Sequence, residues 1–381
     1  MSEYQYYEFL AVDRPLDDKQ IDQVRKYSSR AEITATRFVN EYHWGDFRGD
    51  VRDFLRRFYD LFVYVANWGT HEFAFRAPAE LIDLKAVSPY ECDEGFGIHA
   101  AGSHVFFHLC SESEDGDDWG DGGGWMASLA PLREEVLSGD LRPLYLGWLA
   151  AADVCGFGDD EVEPPVPPGL GSLSAAQRSL ADFIRLDDAL LTVAARTSPP
   201  IAAGADGVAE WIASLPEAEK NDLLTRLCEG QGSHTGVSLR RRFQALSAAS
   251  AKQPAGQARR SVGELLSTAR ALVEAREQEE ARCRAEERLR EEAKAAKARS
   301  DYLAKLAQRQ PAVWKQIEAL VATKQPKKYD EAVGLLRDLK DIAAQSGSRE
   351  AFRLSLAELR SRHEKKSSFL DRVTAAGLTA G

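Results

Sequence analysis

The chain has 381 residues, of which 44% are hydrophobic and 29% charged, and its formal net charge is −11. These proportions exclude wholesale disorder, a collagen-like repeat and a disulfide scaffold, and the length allows two or three folded units at roughly 100–200 residues each. The net charge hides a split: residues 1–165 carry 14 Lys+Arg against 32 Asp+Glu (−18), whereas 166–381 carry 35 against 28 (+7).

In chain order, Tyr4–Val12 is aromatic-rich and unbroken, which predicts a strand, and Asp17–Arg30 after Pro15 reads as a polar helix. Arg37–Trp44 alternates and predicts a second strand. Over 49–67 the period changes. Val51, Phe54, Leu55, Phe58, Leu61, Phe62 and Val65 fall at helical spacing, so one helix is expected there. Thr70–Arg76 reads as a strand and Pro78–Leu84 as the start of a short helix. Gly97–Ala101 and His104–Cys110 follow as two closely spaced strands. The acidic glycine-rich stretch 111–125 is a loop, and Leu129–Val154 returns to helical spacing with Pro143 as a break.

Residues 156–172, GFGDDEVEPPVPPGLGS, have linker composition. The remainder reads as helical: a segment over 173–250, a long charged helix over 258–310, and a C-terminal bundle over 311–376. The long helix is rich in Ala, Glu, Lys and Arg but lacks a sustained a/d seam between Glu274 and Lys297. That pattern fits an exposed spacer laced with i,i+4 ion pairs better than a coiled coil. The fold class expected is therefore an acidic α+β domain over 1–155, its element order pointing to a ferredoxin-like sandwich, followed by an all-α tail.

Five cysteines (Cys92, Cys110, Cys155, Cys228, Cys283) are odd in number and form no Cys-x-x-Cys pair, which fits a reducing compartment. The first residues lack a basic segment followed by an apolar one, and apolar runs such as Leu61–Ala66 fall far short of the ~20 residues that cross a bilayer. A cytoplasmic protein with no membrane partner is expected.

Five of the seven histidines (His43, His71, His99, His104, His108) lie in the head. On the strand reading, His104, Phe106, His108 and Cys110 share one face, while Val105, Phe107 and Leu109 point to the core. Imidazole and thiolate are zinc donors, so His99, His104, His108 and Cys110 are the candidate metal ligands. Strand residues i and i+4 lie about 13 Å apart, however, too far for His104 and His108 to share one ion on a straight strand. Glu112, Glu114, Asp115, Asp117, Asp118 and Asp121 are dense enough for a hard cation, but the EF-hand register fails at Trp119 and Met126. No GxSxG elbow and no GxxxxGK[ST] loop occurs. No cofactor is implied. In the tail, Arg240, Arg241 and Arg242 and the loop carrying Lys324, Lys327 and Lys328 can neutralise phosphates, with Tyr329 as a stacking group.

The spacing Trp314-x-x-Ile317 … Tyr329-x-x-Ala332-x-x-x-Leu336 resembles one tetratricopeptide-type helical hairpin. The wider segment PAVWKQIEALVATKQPKKYDEAVGLLRDLKDIA … LAELRSRHEKKSSFLDRV resembles the helical tail of bacterial SWIM zinc-finger proteins. It covers about a sixth of the chain, and the Cys-x-Cys and Cys-x-His ligand pairs of that family are absent. The resemblance implies a bacterial protein and a helical bundle, and carries no zinc chemistry. The reading that follows is a non-catalytic adaptor with an acidic aromatic head and a basic helical tail, each for a different protein partner. Two alternatives stand beside it: a metal-dependent hydrolase using head His, Asp and Glu residues, and a nucleic-acid-binding accessory protein.

Overall fold

The computed structural model describes residues 3–92, 95–113, 122–154, 156–200, 208–229, 235–243 and 259–378. The chain divides into two units, Met1–Ala275 and Arg276–Gly381. The first is α+β and the second all-α.

The first unit is built on seven antiparallel strands: β1 (Gln5–Leu10), β2 (Glu32–Ile33), β3 (Arg37–Tyr42), β4 (Leu61–Ala66), β5 (His71–Pro78), β6 (Phe96–Ala101) and β7 (His104–Ser111), in the order β2-β3-β1-β4-β5-β7-β6. Between them lie α1 (Asp18–Arg25), α2 (Val51–Arg57) and α3 (Leu84–Val87). The stretch β1-α1-β2-β3-α2-β4 with spatial order β4-β1-β3-β2 is the ferredoxin-like arrangement, and β5, β7 and β6 extend its sheet. Asp17 opens α1 through a capping box with Gln20, and Asp50 opens α2 by accepting the Asp53 amide; these side chains satisfy amides that a helix start leaves without partners.

The single helix expected over 49–67 is corrected here. Val51–Arg57 is helical, but Leu61–Ala66 is the central strand β4, paired with β1 on one side and β5 on the other. Its six residues, LFVYVA, are all buried because both sheet faces are covered. Leu61, Val63 and Val65 enter one core with Phe73, Phe75, Phe107 and Leu109, and Phe62, Tyr64 and Ala66 enter another with Phe9, Phe38 and Phe54. Fully burying each large side chain of such a strand is worth roughly 1.5–3 kcal/mol.

The second of these cores is covered by α1 and α2, through Val24, Phe54 and Leu55. The first is covered by α4 (Trp125–Leu129), α5 (Pro131–Leu137), α6 (Arg142–Val154), α7 (Ala175–Phe183) and α8 (Asp188–Ala195). Two buried polar networks pin these layers. Asp60 pairs with Arg76 at 2.8 Å and accepts the amides of Val12 and Asp13, and Arg133 donates to the Arg76 carbonyl and to Asp13. Glu163 accepts from the Tyr145 hydroxyl and from both Nε and Nη2 of Arg260.

That second network overturns the linker reading of 156–172. Val162 bridges Ser261, the Glu163 amide donates to the Arg260 carbonyl, and Leu170 is buried. The stretch is packed into the first unit. So are Ala176, Leu180, Phe183, Leu190 and Val193 of the segment 173–250. That segment continues as α9 (Val208–Ser214), α10 (Glu217–Cys228) and α11 (235–243). Its portion 244–250, the start of the charged-helix segment at 258, Cys155, and most of the acidic loop with Glu114, Asp115, Asp117, Asp118, Trp119 and Asp121 lie outside the described residues.

The long charged helix is α12 (Val262–Ala307), 46 residues or about 69 Å at 1.5 Å per residue. It starts in the first unit, where Val262 and Leu265 are buried, and ends in the second, where Leu303 and Leu306 are. There α13 (Gln310–Ala322), α14 (Pro326–Gln345), α15 (Arg349–Arg362) and α16 (Ser367–Ala375) close around Ile317, Tyr329, Leu336, Leu359, Phe369 and Val373. No helix among the described residues is long and apolar enough to cross a membrane.

Candidate functional site

Where the sheet face carrying α1 and α2 runs on past α2 across β5, β7 and β6, a cleft of about 460 Å³ opens. Strand register decides what it contains. Side chains on this face come from Glu72 and Ala74 of β5, Phe106 and His108 of β7, and Gly97 and His99 of β6, with Val51, Arg52 and Leu55 of α2 as a wall. His108 stands opposite Ala74 on one side and Gly97 on the other, so its imidazole is flanked by a methyl and by a hydrogen. A Cβ added at Gly97 would meet no atom within 4 Å. Phe106, only 9% exposed, lies opposite His99 and Arg76 in the next row.

The polar groups are few and placed. His108 Nε2 lies 2.8 Å from a Glu72 carboxylate oxygen. An ionised carboxylate only accepts, so Nε2 carries the hydrogen of this contact. Glu91 lines the cleft and accepts the Ile98 amide through one oxygen, while Asp50 accepts the Asp53 amide. Among the described lining residues, three carboxylates stand against one guanidinium, that of Arg52, so their formal charge is negative.

Of the four candidate metal ligands, the structure brings only His99 and His108 to this cleft. The expected division of β7 holds: Val105, Phe107 and Leu109 lie in the core below the sheet. His104 is held by Ser103 at 3.0 Å, and burial together with the Arg76 charge pushes its pKa down, opposed by Asp13 and Asp60. Burial, then Glu72 and Glu112, pushes the Cys110 thiol up to about 12, so it stays protonated at neutral pH and is a poor metal ligand or nucleophile. Among the described residues, no group of three or more His, Cys, Asp and Glu side chains is placed to hold a metal ion.

The basic candidates divide. Arg240 donates to Ser138 at 2.8 Å. Burial lowers the pKa of Arg241 against the pull of Asp83. Arg242 pairs with Glu219 and sits 5.9 Å from the Trp211 ring centroid. The triplet is therefore engaged by the first unit's own surface. In the second unit Lys324 and Lys327 are exposed, and Lys328 pairs with Glu331 at 2.7 Å. Tyr329 corrects its expectation: it is 7% exposed and packs on Phe369 at 5.6 Å, a core ring with no free face for a base.

Glu72, Ala74, Gly97 and Glu91 were not legible as site residues. Each is ordinary in its own segment and meets His108 or its neighbours only through strand pairing.

No protein-family model, no curated protein and no solved structure matches the chain.

Proposed function

We propose that the protein is a non-catalytic interaction protein with two ends, binding one macromolecular partner through the first unit and another through the C-terminal bundle. The observation that carries this reading is α12. Between Glu274 and Tyr302 its side chains are exposed, Ala285 alone being half-buried. Arg282 pairs with Glu279, Arg284 with Glu280 and Arg290 with Glu286 along the helix itself, and only near its bundle end does Arg299, among the described residues, reach Asp338 and Asp341 of α14. Exposed pairs of this kind contribute about 0.3–0.5 kcal/mol each. The span thus adds no core; it connects two cores on one helix.

Each end offers anchors. Trp44 is 75% exposed and Trp68 44%, and they follow β3 and β4, whose last residues Tyr42 and Ala66 both pair with Gln5. Both indoles therefore stand at one end of the sheet, and exposed aromatics are favoured interface anchors. On the bundle, Lys324 and Lys327 supply charge beside the α13–α14 hairpin. That hairpin's likeness to one tetratricopeptide unit supports a partner as well, since such units bury a face against a neighbour.

The test is a pull-down from the native cell extract, nuclease-treated and untreated, with the intact protein, Trp44→Ala/Trp68→Ala and Lys324→Glu/Lys327→Glu. Two different partner sets are expected, each lost with one double variant. Identical sets from all three baits would sink the proposal. Recovery of nucleic acid alone, lost with the lysine variant, would replace it with the nucleic-acid reading.

A further inference from the structure

We infer that the cleft between α2 and the β5-β7-β6 part of the sheet is a binding site for a small organic cation: an amine with an apolar, preferably aromatic, body. This goes beyond the two-ended reading, which does not use the cleft. The shape comes first. At about 460 Å³ the space falls within the range of small-molecule sites, roughly 300–1,000 Å³. It exists because Ala74 and Gly97 leave both sides of His108 unfilled. At Gly97 an added Cβ would meet no atom within 4 Å. The gap is therefore not required by packing.

The chemistry of the walls selects the charge. Phe106, Leu55 and Ala74 give an apolar floor and side, suited to a ring or short chain, and an aromatic face also attracts a cation. Glu72, Glu91 and Asp50 surround it, and each has one oxygen engaged by a short contact to His108, Ile98 or Asp53. A carboxylate oxygen has more than one acceptor position, so an ammonium can be bound without breaking those contacts. Among the described lining residues an anion would meet three carboxylates and one guanidinium, that of the exposed Arg52.

The test uses the full-length protein, titrated calorimetrically with phenethylamine and, separately, with 3-phenylpropanoate, which has a similar body and the opposite charge. The amine is expected to bind with one site per chain and the carboxylate not to bind. Glu72→Gln should weaken the amine about tenfold or more, equivalent to about 1.4 kcal/mol. Gly97→Val should abolish binding while leaving the thermal midpoint in place, which keeps the test valid should Glu72→Gln fold poorly. Equal binding of both ligands, no heat with the amine at millimolar concentration, or an unchanged affinity in Gly97→Val would each overturn the inference.

Discussion

Asp60 and Arg76 are 16 residues apart, and their pairing at 2.8 Å with side-chain exposures of 1% and 9% is the kind of fact that no local pattern announces. Burial pushes the Asp60 carboxyl up, but the Arg76 guanidinium and the amides of Asp13 and Val12 outweigh it and hold the pKa below its ordinary value. Removing one partner strands a buried charge, so Asp60→Ala should cost about 3–5 kcal/mol in chemical denaturation of the first unit. Because the folded pKa is the lower one, the stabilisation is complete above the unfolded value, roughly 3.9, and disappears as the pH falls through the folded value. Arg76→Met/Asp60→Leu should remove that acid dependence; an unchanged acid limb would show that other carboxylates carry it. The cysteines give a second prediction at this scale. Cys110, its pKa pushed up to about 12 by burial and by Glu72 and Glu112, should label with iodoacetamide at pH 8 far more slowly than the exposed Cys228 and Cys283. Peptide mass spectrometry would reveal it, and equal rates would contradict the protonated thiol.

Elements were legible where one period governed a whole segment. The strand near residue 5, the β6–β7 hairpin, the division of β7 into His104/Phe106/His108/Cys110 and Val105/Phe107/Leu109, and the long helix all follow from local spacing. The region 49–67 did not, since Leu61, Phe62 and Val65 continue the stripe of Val51, Phe54, Leu55 and Phe58 by coincidence. In a strand buried on both faces every position is apolar, and a run of that kind satisfies a helical template as well as an extended one. The helix stops at Arg57 with Phe58 as its C-cap, and Asp60, just before β4, is held by Val12, Asp13 and Arg76, all distant in sequence. The cleft was illegible for the same reason, because His108 acquires Ala74 and Gly97 as neighbours only through register. For α12 the exposed span makes a clear prediction. Ala285→Pro removes one backbone hydrogen bond and clashes with the preceding turn at a cost of about 3 kcal/mol. It should reduce far-ultraviolet helicity around the substitution while leaving the near-ultraviolet spectrum, which reports the packed aromatic cores, unchanged. A loss of near-ultraviolet signal would mean that the span supports a core after all.

At the scale of the molecule, the charge split survives folding: residues 1–275 hold 26 Lys+Arg against 43 Asp+Glu, and 276–381 hold 23 against 17, so the two units carry −17 and +6. The boundary, however, is not at the proline-rich stretch. Composition made 156–172 look like a linker, yet Glu163 reaches Tyr145 and Arg260 and fastens it to the sheet domain, while the division of the chain falls inside a continuous helix. Separate cores on one helix predict separate unfolding. Leu336 is fully buried in the bundle, and Leu336→Ala should cost about 2–5 kcal/mol, lowering the bundle's transition by roughly 4–8 °C per kcal/mol for a unit of this size. The Asp60→Ala variant should lower the other transition alone. Because the two substitutions share no partner, their effects should add within about 0.3–0.5 kcal/mol in the double variant. Differential scanning calorimetry of the four proteins decides the matter. If either single substitution moves both transitions together, the solvated turns of α12 transmit stability from one core to the other, and the protein unfolds as one cooperative body.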